Sequence, residues 1–338
     1  MTDHAQEKTF MGIERSVTGK WWRERENDER LATTISQRFG VPEVVGRVMA
    51  ARGIDLDDAE SFLSPTLRDL MPDPSSLQDM DKAAARIADA VEKGEKIAVF
   101  GDYDVDGATS TALLKRFFRA LGADVPVHIP DRMTEGYGPN APALLELQRK
   151  GASLILTVDC GVTAYAPLQE ARDAGIEIIV VDHHAAEPEL PPAVAVVNPN
   201  RLDDESGLGH LCAAGVAFLV CVALLRELRN RGWLEKKGVR APDLRNWLDL
   251  VALGTVCDVV PLRGLNRAFV TQGLKVMKHR SNVGMTSLAD IAGVNEVPSA
   301  YHLGYVLGPR VNAGGRVGES FLGTTLLSGE NPAEAQDI

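Results

Sequence analysis

From position 79 the chain alternates between two hydrophobic periods. Apolar residues recur at helical spacing over 79–92, 108–121, 140–150 and 164–174, and between these lie short apolar runs at 97–100, 125–129, 154–158 and 177–181, with one more at 193–197. Runs that are apolar at every position, not at every second one, belong to strands buried on both faces. The expected fold class is therefore α/β, a parallel sheet covered by helices. After 211 the pattern is mainly helical, over 211–231, 243–253 and 265–279. Before 79 there are short helical patterns at 41–51 and 56–63, then a connection punctuated by Pro65, Pro72 and Pro74. Three regions follow: a helical lead-in over 1–78, a parallel α/β core over 79–200, and a helical remainder over 201–338.

Polar chemistry gathers where the apolar runs stop. The run at 97–100 is followed by Gly101, Asp102, Tyr103, Asp104, Val105, Asp106 and Gly107. In an extended segment Asp102, Asp104 and Asp106 would lie on one side. Two such charges ~4 Å apart repel by ~4 kcal/mol at an effective dielectric near 20, so a cation is expected among them. An EF-hand calcium loop does not fit, because no glutamate follows at its spacing and the flanks read strand then helix. The run at 154–158 ends in Asp159-Cys160-Gly161, and that at 177–181 in Asp182-His183-His184. In open parallel sheets ligands bind outside the carboxyl ends of the strands, which puts all three segments on one edge. Asp182 reads as an acceptor that orients a neighbouring imidazole. Asp258, between valines and ahead of Pro261, closes the helical run that begins near 247, and burial there would require a partner.

Composition narrows the class. At 338 residues, 45% apolar and 25% charged, the chain is of ordinary globular type and long enough for two domains. No apolar run reaches the length of a membrane span and the N-terminus carries no secretory pattern, so a cytoplasmic location and no membrane partner are expected. Cys160, Cys212, Cys221 and Cys257 are scattered, which speaks for small buried side chains and against disulfides, structural zinc or a thiol nucleophile. A net charge of −11 excludes a generic coat for polyanions but leaves room for a nucleic-acid enzyme with a local basic groove. Residues 226–245 hold seven Lys or Arg against three Asp or Glu, either a solvated loop or an edge facing nucleic acid.

The order of these motifs resembles the DHH phosphoesterase superfamily. Within it, 101–111, Asp131-Arg132 with Glu135-Gly136-Tyr137-Gly138, Ala214-Gly215-Val216-Ala217-Phe218 and Pro309-Arg310-Val311-Asn312-Ala313-Gly314-Gly315-Arg316 resemble the RecJ family of single-strand-specific DNA exonucleases. The likeness runs from about Arg52 nearly to the end. It implies that Asp104, Asp106, Asp159, His183 and Asp258 are metal ligands, with Asp102 in the same cluster, and that His184 faces the scissile phosphate. A histidine among carboxylates favours manganese, with magnesium as the alternative. Two ions would activate a water for in-line attack on phosphorus.

The implied activity is 5′→3′ degradation of single-stranded DNA in repair and recombination, with a helicase and a single-strand-binding protein as partners. Arg310, Asn312 and Arg316 are expected around a glycine turn whose N–H groups form an anion nest, and Arg132 and Tyr137 are expected to hold a phosphate and stack a base. The family's second cleft domain and oligonucleotide-binding barrel are not found, and the chain ends after about one turn of a helix begun at Asn331 and Pro332. Competing readings are a DHH phosphoesterase for pyrophosphate or short oligonucleotides, and a non-catalytic DNA-binding scaffold.

Overall fold

In the computed structural model, which describes residues 9–23, 28–317 and 319–338, Met1–Pro65 and Thr66–Ile338 are two compact units. The first holds helices α1 (Glu29–Phe39), α2 (Glu43–Ala51) and α3 (Ala59–Leu63) around Ile35, Met49, Ile54 and Ala59. Gly46 lets α2 come close to α1, since a Cβ there would stand 2.3 Å from Ala32 O.

The second unit opens with α4 (Leu67–Leu70) and α5 (Met80–Lys93) and then enters the sheet. Its elements run β1 (Ile97–Gly101), α6 (Val105–Ala120), β2 (Val127–His128), α7 (Ala141–Arg149), β3 (Leu154–Val158), α8 (Tyr165–Asp173), β4 (Glu177–Val181) and β5 (Ala195–Val197). All pairings are parallel, in the order β2-β1-β3-β4-β5. Alternate strand residues serve two cores. Val99, Leu156 and Ile179 pack under α5, α6 and the later helices, while Phe100, Ile155 and Val180 pack under α7 and α8. The later helices are α9 (Ala213–Asn230), α10 (Trp233–Lys237), α11 (Leu248–Cys257), α12 (Gly264–Lys278), α13 (Val283–Ile291), α14 (Gly308–Val317), α15 (Leu322–Ser328) and α16 (Pro332–Asp337).

The strand order reverses between β1 and β3: α6 leaves β1 on one face, whereas α7 and α8 cover the other. Chain segments diverge there and leave a crevice at the carboxyl ends of these two strands, the usual ligand position in such sheets.

Two local expectations give way. Helix α6 starts at Val105, three residues ahead of 108, because Asp104 is its N-cap and accepts the Gly107 N–H at 3.0 Å. Asp102, Asp104 and Asp106 therefore do not line one side of an extended segment; they occupy a loop, a cap and a first helical turn. The expected glycine turn at 312–315 is the interior of α14. Its N–H groups lie in a helical ladder, so no anion nest forms. Gly315 serves close packing, as a Cβ there would sit 2.9 Å from Tyr103 O.

Candidate metal centre

Asp106 shows how the fold places a carboxylate. It is 2% exposed, and its two oxygens accept the N–H groups of Ala213 at 2.6 Å and Ala214 at 2.9 Å, the first residues of α9. A helix N-terminus carries partial positive charge and free donors, so it steadies the anion. Gly254 of α11 makes the approach possible, because a Cβ there would stand 2.7 Å from Asp106 Oδ1 and 2.9 Å from Ala214 Cβ. Asp159 follows β3 with φ +61°, a left-handed conformation that aspartate tolerates better than most residues.

His183 stands among the acids. Its Nε2 is 3.2 Å from Asp159 Oδ1 and 3.8 Å from Asp106 Oδ2, and its Nδ1 is 3.7 Å from Asp258 Oδ2. Among the described residues three overlapping groups offer ligand atoms within 4.8 Å of one another: Asp159, His183 and His184; Asp106, His183 and Asp258; Asp102, Asp104 and Asp159. Asp159 and His183 each belong to two of them. Shared ligands are what two neighbouring ions require.

The electrostatics call for cations. Burial, with the Asp104 charge adding, pushes the Asp102 carboxyl up to about 7. Burial and then Asp258 push Asp106 up to about 7, and burial and then Asp104 push Asp258 up to about 6. Asp159 lies well above the usual carboxylate range, first by burial and then through Asp106. Burial, reinforced by His184, lowers His183. Among the described residues the buried Asp102 Oδ1 and His183 Nε2 make no hydrogen bond, the 3.2 Å approach of His183 Nε2 to Asp159 Oδ1 lacking hydrogen-bond geometry, and an unmade bond costs about 1–3 kcal/mol per group. Divalent cations fit these residues on both counts, since they neutralise the acids and engage the orphaned atoms. An oxygen-rich set with one imidazole suits manganese.

Beneath this layer, Asp182 is 1% exposed and takes four bonds. Its Oδ1 meets His184 Nδ1 at 2.7 Å and accepts the N–H groups of His183 and His184, while Oδ2 accepts the Val162 N–H. The Asp182 bond raises the pKa of His184, whose side chain is partly exposed. Asn198 donates to His184 O and Asn200 to His183 O, which fixes the backbone of the pair. Sequence reasoning alone passes over Asn198 and Asn200. Their one signal is an Asn-Pro-Asn immediately after the apolar run of β5.

The candidate substrate residues divide. The Tyr137 hydroxyl donates to Asp159 O at 3.2 Å, and its ring meets His184 edge-on with centroids 6.0 Å apart. The Arg132 guanidinium lies 5.4 Å from the Tyr103 ring centre, and Arg132 and Arg316 both lie within electrostatic reach of the Tyr103 phenol. Asn312 and Arg316, four apart, share a side of α14. Arg310 does not join them. It lies about 140° around the helix from Gly315, at about 100° per residue, and its Nη1 donates to Val306 O at 2.7 Å.

With this geometry in place, comparison with known proteins decides the lineage. Residues 96–255 match the DHH family, N-terminal domain. The chain is 38% identical over 319 residues to the single-stranded-DNA-specific exonuclease RecJ of Salmonella typhimurium, across 93% of this chain and 54% of that protein. Residues 96–255 thus resemble a DHH domain, and the chain is similar to RecJ over nearly its whole length. Among solved structures, RecJ of Thermus thermophilus in complex with Mn2+ superposes with a TM-score of 0.75 at 34% identity, covering 93% of this chain and 43% of the other. The Mg2+ complex from the same organism gives 0.64 at 31%, covering 93% and 40%. The chain spans about half the length of the curated relatives it matches. Among its described residues no helix is long and apolar enough to cross a membrane.

Proposed function

We propose that this chain holds two divalent cations, manganese ahead of magnesium, and hydrolyses phosphodiester bonds of single-stranded DNA from the 5′ end. The observation that carries the reading is the meeting of Asp102, Asp104, Asp106, Asp159, His183 and Asp258 at one strand crevice, with the buried Asp102 Oδ1 and His183 Nε2 lacking partners. Asp104, Asp106, Asp159, His183 and Asp258 hold the ions, and Asp102 joins them. When bound, the ions supply Lewis acidity, activating water and offsetting charge on the phosphoryl oxygens.

The protein's own groups do the remainder. Asp182 holds His184 by Nδ1 and shifts it toward its charged form, in which the ring would face the scissile phosphate as a fixed donor. Tyr137 positions the nucleotide beside it. Arg132 and Arg316 bind phosphate near Tyr103, and Asn312 supports Arg316. Arg310 grips the strand farther along. No thiol nucleophile takes part, since burial raises the pKa of all four cysteines. The setting is DNA repair and recombination in the cytoplasm, with a helicase and a single-strand-binding protein supplying and guarding the strand.

The test is a digestion with manganese of 5′-labelled and 3′-labelled single-stranded DNA, a dinucleotide and pyrophosphate. Release of mononucleotides from the 5′ end is expected. Turnover of pyrophosphate or dinucleotide alone would replace this reading with a small-substrate phosphoesterase, and no turnover at all would leave a DNA-binding scaffold.

A further inference from the structure

The large aromatic side chains exposed in Thr66–Ile338 are, among the described residues, Tyr137, Tyr301, Tyr305 and Phe321. Tyr137 touches a loop of the metal centre, and the other three stand on segments packed against the helices that carry Asp106 and lead to Asp258. Tyr137 bonds to Asp159 O. Phe321 precedes Gly323, where a Cβ would lie 3.4 Å from Ala108 in the first turns of α6. Tyr301 and Tyr305 flank Gly304, where a Cβ would lie 3.2 Å from Val256. The π-helix His302–Leu307 also accepts a bond from the Cys257 thiol at Leu303 O, 3.4 Å away, and Asp258 is the next residue after Cys257.

Tyr301 and Tyr305 are 63% and 75% exposed, and their rings are stacked with centroids 5.3 Å apart and planes 26° apart. Two parallel aromatic faces in water are a costly surface to maintain unless something flat covers them. Five residues beyond Tyr305, on the helix that follows, the exposed Arg310 donates one of its five N–H groups to Val306 O at 2.7 Å, which fixes the place of its charge.

We propose that Tyr301 and Tyr305 form a stacking platform for nucleobases of a single strand whose phosphates Arg310 grips, leading away from the cleavage site past Asp258. The proposal rests on the nuclease reading for the identity of the strand. Stacking tolerates any base because every base has a π-face, while a phosphate contact at Arg310 would select a phosphate-linked chain over free aromatics. A paired duplex keeps its faces stacked internally and cannot use the platform, which adds selection for single strands remote from the chemistry. It also gives Arg310 a task that its distance around α14 from Gly315 otherwise leaves open.

The test is fluorescence anisotropy of the full 338-residue chain with 3′-fluorescein-labelled (dT)12, and with the same length of abasic strand, in EDTA so that no hydrolysis occurs. The wild type should prefer (dT)12, and Tyr301→Ala with Tyr305→Ala should weaken (dT)12 binding by roughly tenfold or more, from the usual worth of a base–aromatic stack. Abasic binding should stay unchanged. The double Phe variant should keep the preference, which loss of fold would not allow. An Ala variant that retains the base preference, or a wild type with none, overturns the platform. So does a change in oligomeric state by sedimentation with DNA affinity unaltered, which would make the pair a contact between copies. Calorimetric manganese titration of the same preparations reports separately on the metal centre. Absent manganese binding with the base preference intact sinks the metal reading alone, and the converse sinks the platform alone.

Discussion

Asp102 is neutral or charged according to its surroundings, and that makes its titration a report on the centre. Its pKa of about 7 in the folded protein lies above the ordinary 3.8, chiefly because it is buried. Between those values the folded chain keeps a proton that the unfolded chain has released. The associated stability is complete below about pH 4 and is lost as pH rises through 7, a change of about 4 kcal/mol for a shift of this size. Metal-free protein should accordingly melt at progressively lower temperature from about pH 4.5 to about pH 7.5, and manganese should remove most of that decline. A flat metal-free profile would show that the carboxylates are neutralised by something other than protons or ions. Asp159→Asn tests the same repulsion one residue at a time. Asparagine accepts the left-handed backbone at φ +61° and removes one charge, so the metal-free variant should melt higher than wild type at about pH 7.5 while binding manganese roughly tenfold or more weakly. Equal manganese affinity by calorimetry would remove Asp159 from the site. The ligand-type residues are legible in the sequence because each ends an apolar run. Asn198 and Asn200, which hold the histidine backbone, are not, since an amide that bonds a distant carbonyl leaves no mark beyond a turn-like Asn-Pro-Asn.

Elements deliver these residues through close approaches that glycines permit. At Gly254 an added methyl would meet Thr109 Oγ1 at 2.6 Å and Asp106 Oδ1 at 2.7 Å, whereas at Gly273 it would meet Leu248 O at 2.2 Å between α12 and α11, away from the acids. Both Gly254→Ala and Gly273→Ala should lose about 1–3 kcal/mol in urea unfolding, the usual cost of overpacking. Only Gly254→Ala should also weaken manganese binding, because only there is the colliding atom a candidate ligand. Equal losses of manganese affinity in both variants would mean that the centre merely follows global stability. The strands are readable as elements because a sheet buried on both faces needs apolar residues at every position. The start of α6 is not readable from periodicity, since Asp104 caps a turn made of Val105, Asp106 and Gly107, where the apolar pattern is silent. The helix over Gly308–Val317 escapes local reasoning for a related cause. Adjacent Gly314 and Gly315 read as a turn by propensity, yet both lie inside a helix, where Gly315 leaves room for Tyr103 O, a tertiary approach no local rule contains.

For the whole molecule the question is how an acidic chain would hold DNA. Two ions of +2 each bring the formal −11 only to −7, so capture must come from a local set of cations. The basic stretch at 226–245 is a weaker candidate than its composition suggests, because three of its seven cations are spent internally. Arg226 is paired with Asp73 and Asp81, Arg231 with Asp89, Glu92 and Glu227, and Arg245 with Asp243. The pairs with Asp73, Asp81, Asp89 and Glu92 tie the end of α9 to α5 and to the segment before it. The proposed phosphate contacts are instead Arg132 and Arg316, near Tyr103, and Arg310, which lies apart from them on α14. Three phosphate contacts on a single strand correspond to a slope of log K against log salt of about −2, at about 0.7 per contact. Anisotropy titrations of (dT)12 at several sodium chloride concentrations in EDTA should give that shallow slope, and Arg310→Ala should lower it by roughly 0.7, with Arg310→Lys restoring only part of the affinity because a point charge lacks the bidentate fork. A slope steeper than about −4 would require more cations than these three arginines supply. Arg229, Lys236, Lys237 and Arg240 would then have to meet the strand, and the 226–245 stretch, not the tyrosine rim, would be the path that DNA follows.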